Sequence, residues 1–153
     1  LDALPLWAQK TLRAHASDPR PRLLGQEELE QGRTGDALWD AAQRSLVRTG
    51  ELHNNLRMGW GKQVLMWCAS PEEALARLVH LNDRFALDGE SPPSYGGIMW
   101  CLGLFDGPKE EGGVTGTVRR KQLTRARGVT PETIASAAEK LCGPMNRFFQ
   151  VGS

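Results

Sequence analysis

Leu52, Leu56, Trp60, Val64 and Trp67 recur every three or four residues, and this stripe constrains the chain more than any other feature. A strand turns its faces over every second residue and cannot gather all five on one side. An α-helix with 3.6 residues per turn can. The segment that follows, Ser70-Pro71-Glu72-Glu73, opens another helix, predicted to run to about Phe85. It has a capping serine, a proline where the N–H lacks an intrahelical partner anyway, and two acids at the positive end of the helix dipole. Asp36 caps a predicted helix that carries Leu38, Trp39, Ala42 and Leu46 on one face and ends at Gly50. Leu4 to Ala16 shows the same spacing, with Pro5 in its first turn, before the break Asp18-Pro19-Arg20-Pro21-Arg22.

Short helices are expected over Gly25 to Gln31 and over Tyr95 to Leu104, the latter after a Gly-, Pro- and Ser-rich loop from Leu87 to Ser94. Phe105 to Thr115 reads as irregular, and Thr117 to Arg127 as either extended or partly helical. Thr130-Pro131-Glu132 starts a last helix, carried by Ile134 to Leu141 and stopped by Gly143-Pro144. No alternating run of useful length exists, so the expected fold is all-α.

At 153 residues there is room for one domain with its own core. The start at Leu1-Asp2 reads as internal to a longer protein. The net charge of +1 does not by itself announce a nucleic-acid partner. The charge is uneven, however: Arg119, Arg120, Lys121, Arg125 and Arg127, with Lys109 upstream, lie in a stretch free of acids from Gly112 to Pro131. Such a run is either a solvated loop or a phosphate-binding surface. Cys68, Cys101 and Cys142 are far apart and odd in number, which argues against a zinc site and for a reducing, intracellular setting, expected to be cytoplasmic. No apolar run approaches the length of a membrane span.

Three groups of residues bear chemistry. Trp39, Trp60 and Trp67 can meet if their two helices are antiparallel across Thr49-Gly50-Glu51. Spacing alone favours three core aromatics over a chain of oxidisable indoles. Arg57, one turn before Trp60, needs a carboxylate if it is buried, and Asp88 is the candidate. That pair is either a structural ion pair or a clamp for a planar heterocycle. Asn82 sits in a helix, where asparagine is disfavoured, and its amide offers both donors and an acceptor. His15, His53 and His80 form no ligand pattern, and nothing supports a nucleophilic triad, a P-loop or a Gly-rich dinucleotide turn.

Several stretches together resemble the C-terminal half of the FAD-binding domain of the photolyase/cryptochrome family, most closely its class II cyclobutane-pyrimidine-dimer branch. They are Leu4-Pro5-Leu6-Trp7-Ala8, Asp36-Ala37-Leu38-Trp39-Asp40, His53-Asn54-Asn55-Leu56-Arg57-Met58-Gly59-Trp60-Gly61-Lys62, Ser70-Pro71-Glu72-Glu73 and Leu81-Asn82-Asp83-Arg84-Phe85-Ala86-Leu87-Asp88-Gly89. They occur in family order over roughly the first 120 residues. The resemblance implies FAD as cofactor. It places Arg57 and Asp88 at the flavin ring, Asn82 facing flavin N5 and Asn54 beside the cofactor. Trp60, Trp39 and Trp67 become the electron-transfer tryptophans, with Trp60 nearest the flavin. Met58 and Trp100 would line the lesion pocket, and Arg119 would face DNA. The implied activity is light-driven electron transfer from reduced flavin to a pyrimidine dimer flipped out of the DNA, by a monomer. The competing reading is a cryptochrome-like photoreceptor, which keeps the tryptophans and signals through a partner. A third is a helical binding module without flavin.

The chain departs from the family pattern in named places. The α/β antenna domain and the segments that bind the FAD phosphates have no counterpart. Ser94-Tyr95-Gly96-Gly97-Ile98-Met99 replaces the Gly-Tyr-Val-Gly-Cys-like run before the pocket tryptophan. The loop after Phe105 lacks the tryptophan expected near Glu110. The resemblance therefore assigns residues 1–128 to the helical domain and leaves 129–153 as an unassigned helix and tail.

Overall fold

The computed structural model describes residues 1–121, 123 and 128–142. Seven α-helices order them: α1 (Leu6–Ala14), α2 (Gln26–Glu30), α3 (Ala37–Thr49), α4 (Asn54–Val64), α5 (Pro71–Phe85), α6 (Pro92–Cys101) and α7 (Pro131–Cys142), with a 3-10 turn, Leu65–Trp67, closing α4. The only β pairing among the described residues is an isolated antiparallel bridge between Gly112 and Gly116. The fold is all-α, as the spacing predicts. Gly143-Pro144, the expected stop of α7, and Arg125 and Arg127 of the basic run lie outside the described residues.

The helix starts follow their caps. The Asp36 carboxylate accepts from the backbone N–H of Leu38 and Trp39 at 3.1 and 3.0 Å. The Ser70 hydroxyl accepts from Glu73 N–H at 3.1 Å. Thr130 and Thr133 cap α7 reciprocally, each backbone N–H donating to the other's hydroxyl. Gly50 ends α3 in the left-handed conformation, φ +74°, which costs glycine no Cβ clash.

Three boundaries differ from expectation. The first helix is trimmed at both ends, with Pro5 as its cap rather than in its first turn. The stripe from Leu52 to Trp67 is not one helix: α4 stops at Val64, and Trp67 stands on the 3-10 turn. The α6 helix starts at Pro92, three residues before the expected start, because Ser91 caps it and two prolines occupy its first turn, where no N–H partner is needed.

The core gathers Leu12, Leu29, Trp39, Val64, Leu78, Leu81 and Leu102, all nearly or wholly excluded from solvent. Here α4 is central: it packs against α3, α5 and α6. The approach of α6 depends on Gly61, where a Cβ would lie 2.6 Å from the Cys101 sulfur. Burial pushes the Cys101 thiol up to about 12, so this sulfur is packing and not a nucleophile. On the other side α7 packs along α3. Lys62 is buried inside the molecule, with Nζ 3.7 Å from Asp106, and donates to the carbonyls of Cys101 and Arg119 at 3.4 and 3.0 Å. One ammonium thus ties α4 to the end of α6 and to the basic segment. Burial holds its pKa below the usual 10.5.

Candidate functional site

Two clusters meet on α4. Trp60 and Arg57 are three residues apart, one turn of the helix. Trp60 points into the core against α3, and Arg57 points toward α5 and the loop after it.

The Arg57 guanidinium grips Asp88 with a two-pronged contact, Nη1 to Oδ2 and Nη2 to Oδ1, both 2.9 Å. Its second Nη2 hydrogen goes to the Asn82 carbonyl oxygen at 2.5 Å. The Asn82 amide nitrogen donates to Ser94 Oγ and to Asp83 Oδ1, each at 3.0 Å. Arg57, Asp88 and Asn82 therefore form one cluster, as expected. The cluster is buried only in part. Asn82 is buried, but the Arg57 side chain is 23% exposed and Asp88 is 51% exposed. The pair stands at the rim of a surface because Asp88 lies beyond the end of α5, on a loop. Its hydrogen bonds from Arg57 still hold the Asp88 carboxyl below the usual 3.8. A cleft of about 620 Å³ opens beside it, between the α3–α4 turn and α7, with Leu56, Arg57, Asp88, Ile134 and Leu141 in its walls.

The three tryptophans form a continuous stack. Trp39 is the middle member: its ring lies 6.1 Å from Trp60, 9° from parallel, and 5.4 Å from Trp67, edge-on at 77°. All three are buried. The two helices run antiparallel, so the start of α3 meets the end of α4. Their hydrogen bonds fix the rings: Trp39 Nε1 donates to the Trp60 carbonyl at 2.9 Å, and Trp60 Nε1 donates to Gln43 Oε1 at 3.0 Å. Gln43 is fully buried and passes the chain on to the Glu30 carbonyl at 3.2 Å. The sequence reading missed Gln43. A polar residue one turn after Trp39, on the same apolar face, was the available signal. Arg22 covers the outer end, 5.5 Å from the Trp67 ring centre.

The remaining candidates spread around this centre. Asn54 is exposed at the first position of α4, after His53, whose ring accepts from Asn55 N–H at 3.4 Å. Met58 is buried on α4. Trp100 is 39% exposed and meets the exposed Phe105 edge-on at 6.2 Å. Phe105 has φ +64°, uncommon for a bulky residue. The Arg119 side chain is exposed beside Arg120 and Lys121 in a second cleft of about 360 Å³. Sequence reading also passed over His15. It bridges Asp18 at 2.6 Å and Glu111 at 3.0 Å, clasping α1 to the segment that leads to Arg119. Among the described residues no group of side chains could hold a metal, and no helix is long and apolar enough to cross a membrane.

The fold and these clusters define an all-α domain that seats an indole stack beside an arginine–carboxylate–amide cluster. No family model matches the chain. It is 50% identical over 114 residues to the deoxyribodipyrimidine photo-lyase of Potorous tridactylus, which covers 74% of this chain and 21% of that protein. It is 43% identical over 114 residues to the enzyme of that name from Oryza sativa subsp. japonica, covering 74% and 22%. With the protein of the same name from Methanothermobacter thermautotrophicus it shares 41% over 119 residues, covering 78% and 27%. The chain belongs to the photolyase family, of which it represents part of a domain. It spans between a fifth and about a quarter of the length of these curated relatives.

Proposed function

We propose that the protein containing this chain is a light-driven, FAD-dependent lyase that splits cyclobutane pyrimidine dimers in DNA, of the class II type. The observation that carries the reading is the continuity of two clusters along α4: the Arg57–Asp88–Asn82 network and, one turn on, the Trp60–Trp39–Trp67 stack. The relatives, each a deoxyribodipyrimidine photo-lyase, support the same activity.

The residues present fit one edge of a flavin ring. Three of the five Arg57 N–H groups are committed to Asp88 and Asn82, and among the described residues the other two have no partner. A planar donor fork held rigid by a carboxylate suits the acceptor atoms of a planar heterocycle. When bound, flavin supplies the light-driven electron to the dimer. Arg57 and Asp88 orient the ring, Asn82 sets the hydrogen bonding at its edge, and Asn54 adds a polar contact at the start of α4. Trp60, Trp39 and Trp67 relay electrons inward from the Arg22 end, and the burial of all three keeps water from the path. Met58 and Trp100 line the side that receives the flipped base, where the half-exposed indole offers a stacking face. Arg119, with Arg120 and Lys121, holds phosphates of the damaged strand, and the intact protein acts as a monomer.

The deciding experiment is repair by the intact protein. Illuminated with reduced flavin bound, it restores dimer-containing DNA to unmodified pyrimidines. Flavin bound and reduced without repair rejects the reading. Equal affinity for damaged and undamaged DNA then identifies a receptor.

A further inference from the structure

We propose that the outer end of the tryptophan stack is a docking point for small anionic one-electron donors, and that the free guanidinium of Arg22 selects their charge. The donor's role rests on the reading that Trp67, Trp39 and Trp60 relay electrons.

A relay has to be refilled from outside, and the stack leaves one place for that. Trp39 is wholly buried and Trp60 nearly so, and their indole N–H groups are spent on the Trp60 carbonyl and on Gln43. Trp60 also stands one turn from Arg57, at the end that faces the other cluster. Trp67 differs. It sits on the 3-10 turn after α4, and its Nε1 has no hydrogen-bond acceptor among the described residues. Among these residues the one wholly buried side-chain nitrogen or oxygen left unpaired is Arg48 Nε. The Trp67 N–H therefore reaches the surface, although the residue is only 4% exposed. An electron enters the stack at this edge.

The charge at that edge is positive and uncompensated. Arg22 is exposed, and its guanidinium carbon lies 5.5 Å from the Trp67 ring centre, within reach of a cation–π contact. Among the described residues no carboxylate and no hydrogen-bond acceptor takes its N–H groups. Gly35 shapes its seat, since a Cβ there would stand 3.3 Å from Arg22 Nη1. The neighbours do not cancel the charge. Arg20 adds a second guanidinium, which donates to the carbonyls of Cys68, His15 and Asp18. Arg77 of α5 is paired with Glu73, and Asp40 of α3 accepts from Thr34 and Gly35. Cys68, next in the chain, stays a neutral thiol because burial pushes it up to about 11.

A donor that approaches the Trp67 edge meets this field before it meets the ring. An anion is drawn in and a cation is repelled. The free N–H fork of Arg22 suits the oxygens of a carboxylate or an enolate. The electron count closes without a covalent step. Trp67, having passed one electron to Trp39 and its indole proton to water, stands as a neutral radical. The donor loses one electron, the radical takes it together with a proton from water, and no bond forms to the donor. Small carboxylates and enolates that are readily oxidised by one electron are the class that fits.

The test follows reduction of the tryptophan radical in the intact protein by three donors of similar shape and different charge. They are ferrocenecarboxylate, ferrocenylmethanol and (ferrocenylmethyl)trimethylammonium. The radical is made by illumination with flavin bound and, separately, without flavin by azide radical, which takes one electron and leaves as azide. Arg22→Met slows the anion about fourfold, leaves the neutral donor unchanged and speeds the cation about fourfold, the effect of one unit charge about 5 Å away in water. Arg22→Lys restores both rates. Salt at about 1 M, with a Debye length of about 3 Å, removes the differences. Trp67→Phe abolishes the dependence on donor charge. Rates unmoved by Arg22→Met for all three donors, or a charge preference that survives Trp67→Phe, overturn the proposal. All three donors moving in one direction would mean that Arg22 merely covers the ring, and overturns it too. If illumination yields no tryptophan radical while the azide arm shows the charge pattern, the relay reading falls and the charge-selective docking point stands.

Discussion

Trp39 stacks on Trp60 with rings 6.1 Å apart and 9° from parallel, while its indole nitrogen donates to the Trp60 carbonyl at 2.9 Å. The stack is therefore held by the backbone of one member, and the geometry does not depend on side-chain packing alone. Trp67 touches the same ring from its edge, which makes Trp39 the link between the other two.

Trp39→Phe should thus interrupt photoreduction of the flavin in the intact protein while leaving flavin bound. Loss of the indole donor costs about 1 kcal/mol of stability, with a further cost for the volume removed. Trp60→Phe should slow photoreduction too, since it removes the member next to Arg57. Stopped illumination with absorbance detection checks both, and rates equal to the unaltered protein would show that electrons take another route.

Gln43 should be critical to the same stack. Gln43→Ala leaves the buried Trp60 N–H without its acceptor, a loss of about 1–3 kcal/mol, and opens a cavity in the core. Urea unfolding measures it. A change no larger than that of an exposed site would mean that Trp60 finds another partner.

Arg57→Ala should separate stability from cofactor binding. Asp88 is half exposed, so its unpaired carboxylate is solvated, but the buried Asn82 carbonyl oxygen loses its donor, and the fold loses about 1–3 kcal/mol. Flavin occupancy of the intact protein should fall sharply. Arg57→Lys keeps the charge without the planar fork, so it should recover little occupancy. The pair also sets a pH dependence. Because Arg57 lowers the Asp88 pKa below 3.8, its contribution is present above pH 3.8 and is lost as the pH falls through the lowered value.

Lys62→Met should loosen the segment after α6. It removes the ammonium that holds the carbonyls of Cys101 and Arg119 and leaves Asp106 without its cation. A loss of about 3 kcal/mol is expected from such a broken buried pair. Faster amide exchange in residues 102–121, with weaker DNA binding by the intact protein, is the signature. In the unaltered protein the depressed Lys62 pKa means that burying the charge opposes folding. That penalty is fully present below the depressed value and relaxes as the pH rises toward 10.5.

The His15 clasp should give a second pH signal. The hydrogen bonds that His15 donates to Asp18 and then to Glu111 raise its pKa above 6.5, and the His15 contact lowers that of Asp18 below 3.8. The histidine contribution is complete below pH 6.5 and lost as pH rises through the raised value. The aspartate contribution is complete above pH 3.8 and lost as pH falls. Stability from this clasp is thus greatest between those limits, and His15→Asn should flatten the upper limb of a urea-midpoint profile.

Local chemistry determined most of the helical layout without help from the tertiary structure. Asp36, Ser70 and Thr130 cap helices wherever their neighbours permit, because a cap satisfies backbone donors within three residues of itself. The family resemblance likewise named Arg57, Asn82, Asp88 and the three tryptophans by motif, and the structure draws them into two clusters.

Three things were decided only in three dimensions. Trp39 became the middle of the stack because antiparallel packing of α3 and α4 set it against both partners, a relation that spacing along one helix cannot express. The Arg57–Asp88 pair lies at a rim because the loop after α5 leaves Asp88 in water. The Asn82 amide is locked by Ser94, twelve positions away, and by Asp83 as oriented by Tyr95. Caps and stripes are legible because they act over a turn of chain. Burial, ring order and the direction of an amide come from contacts between segments far apart in sequence, and only packing brings those together.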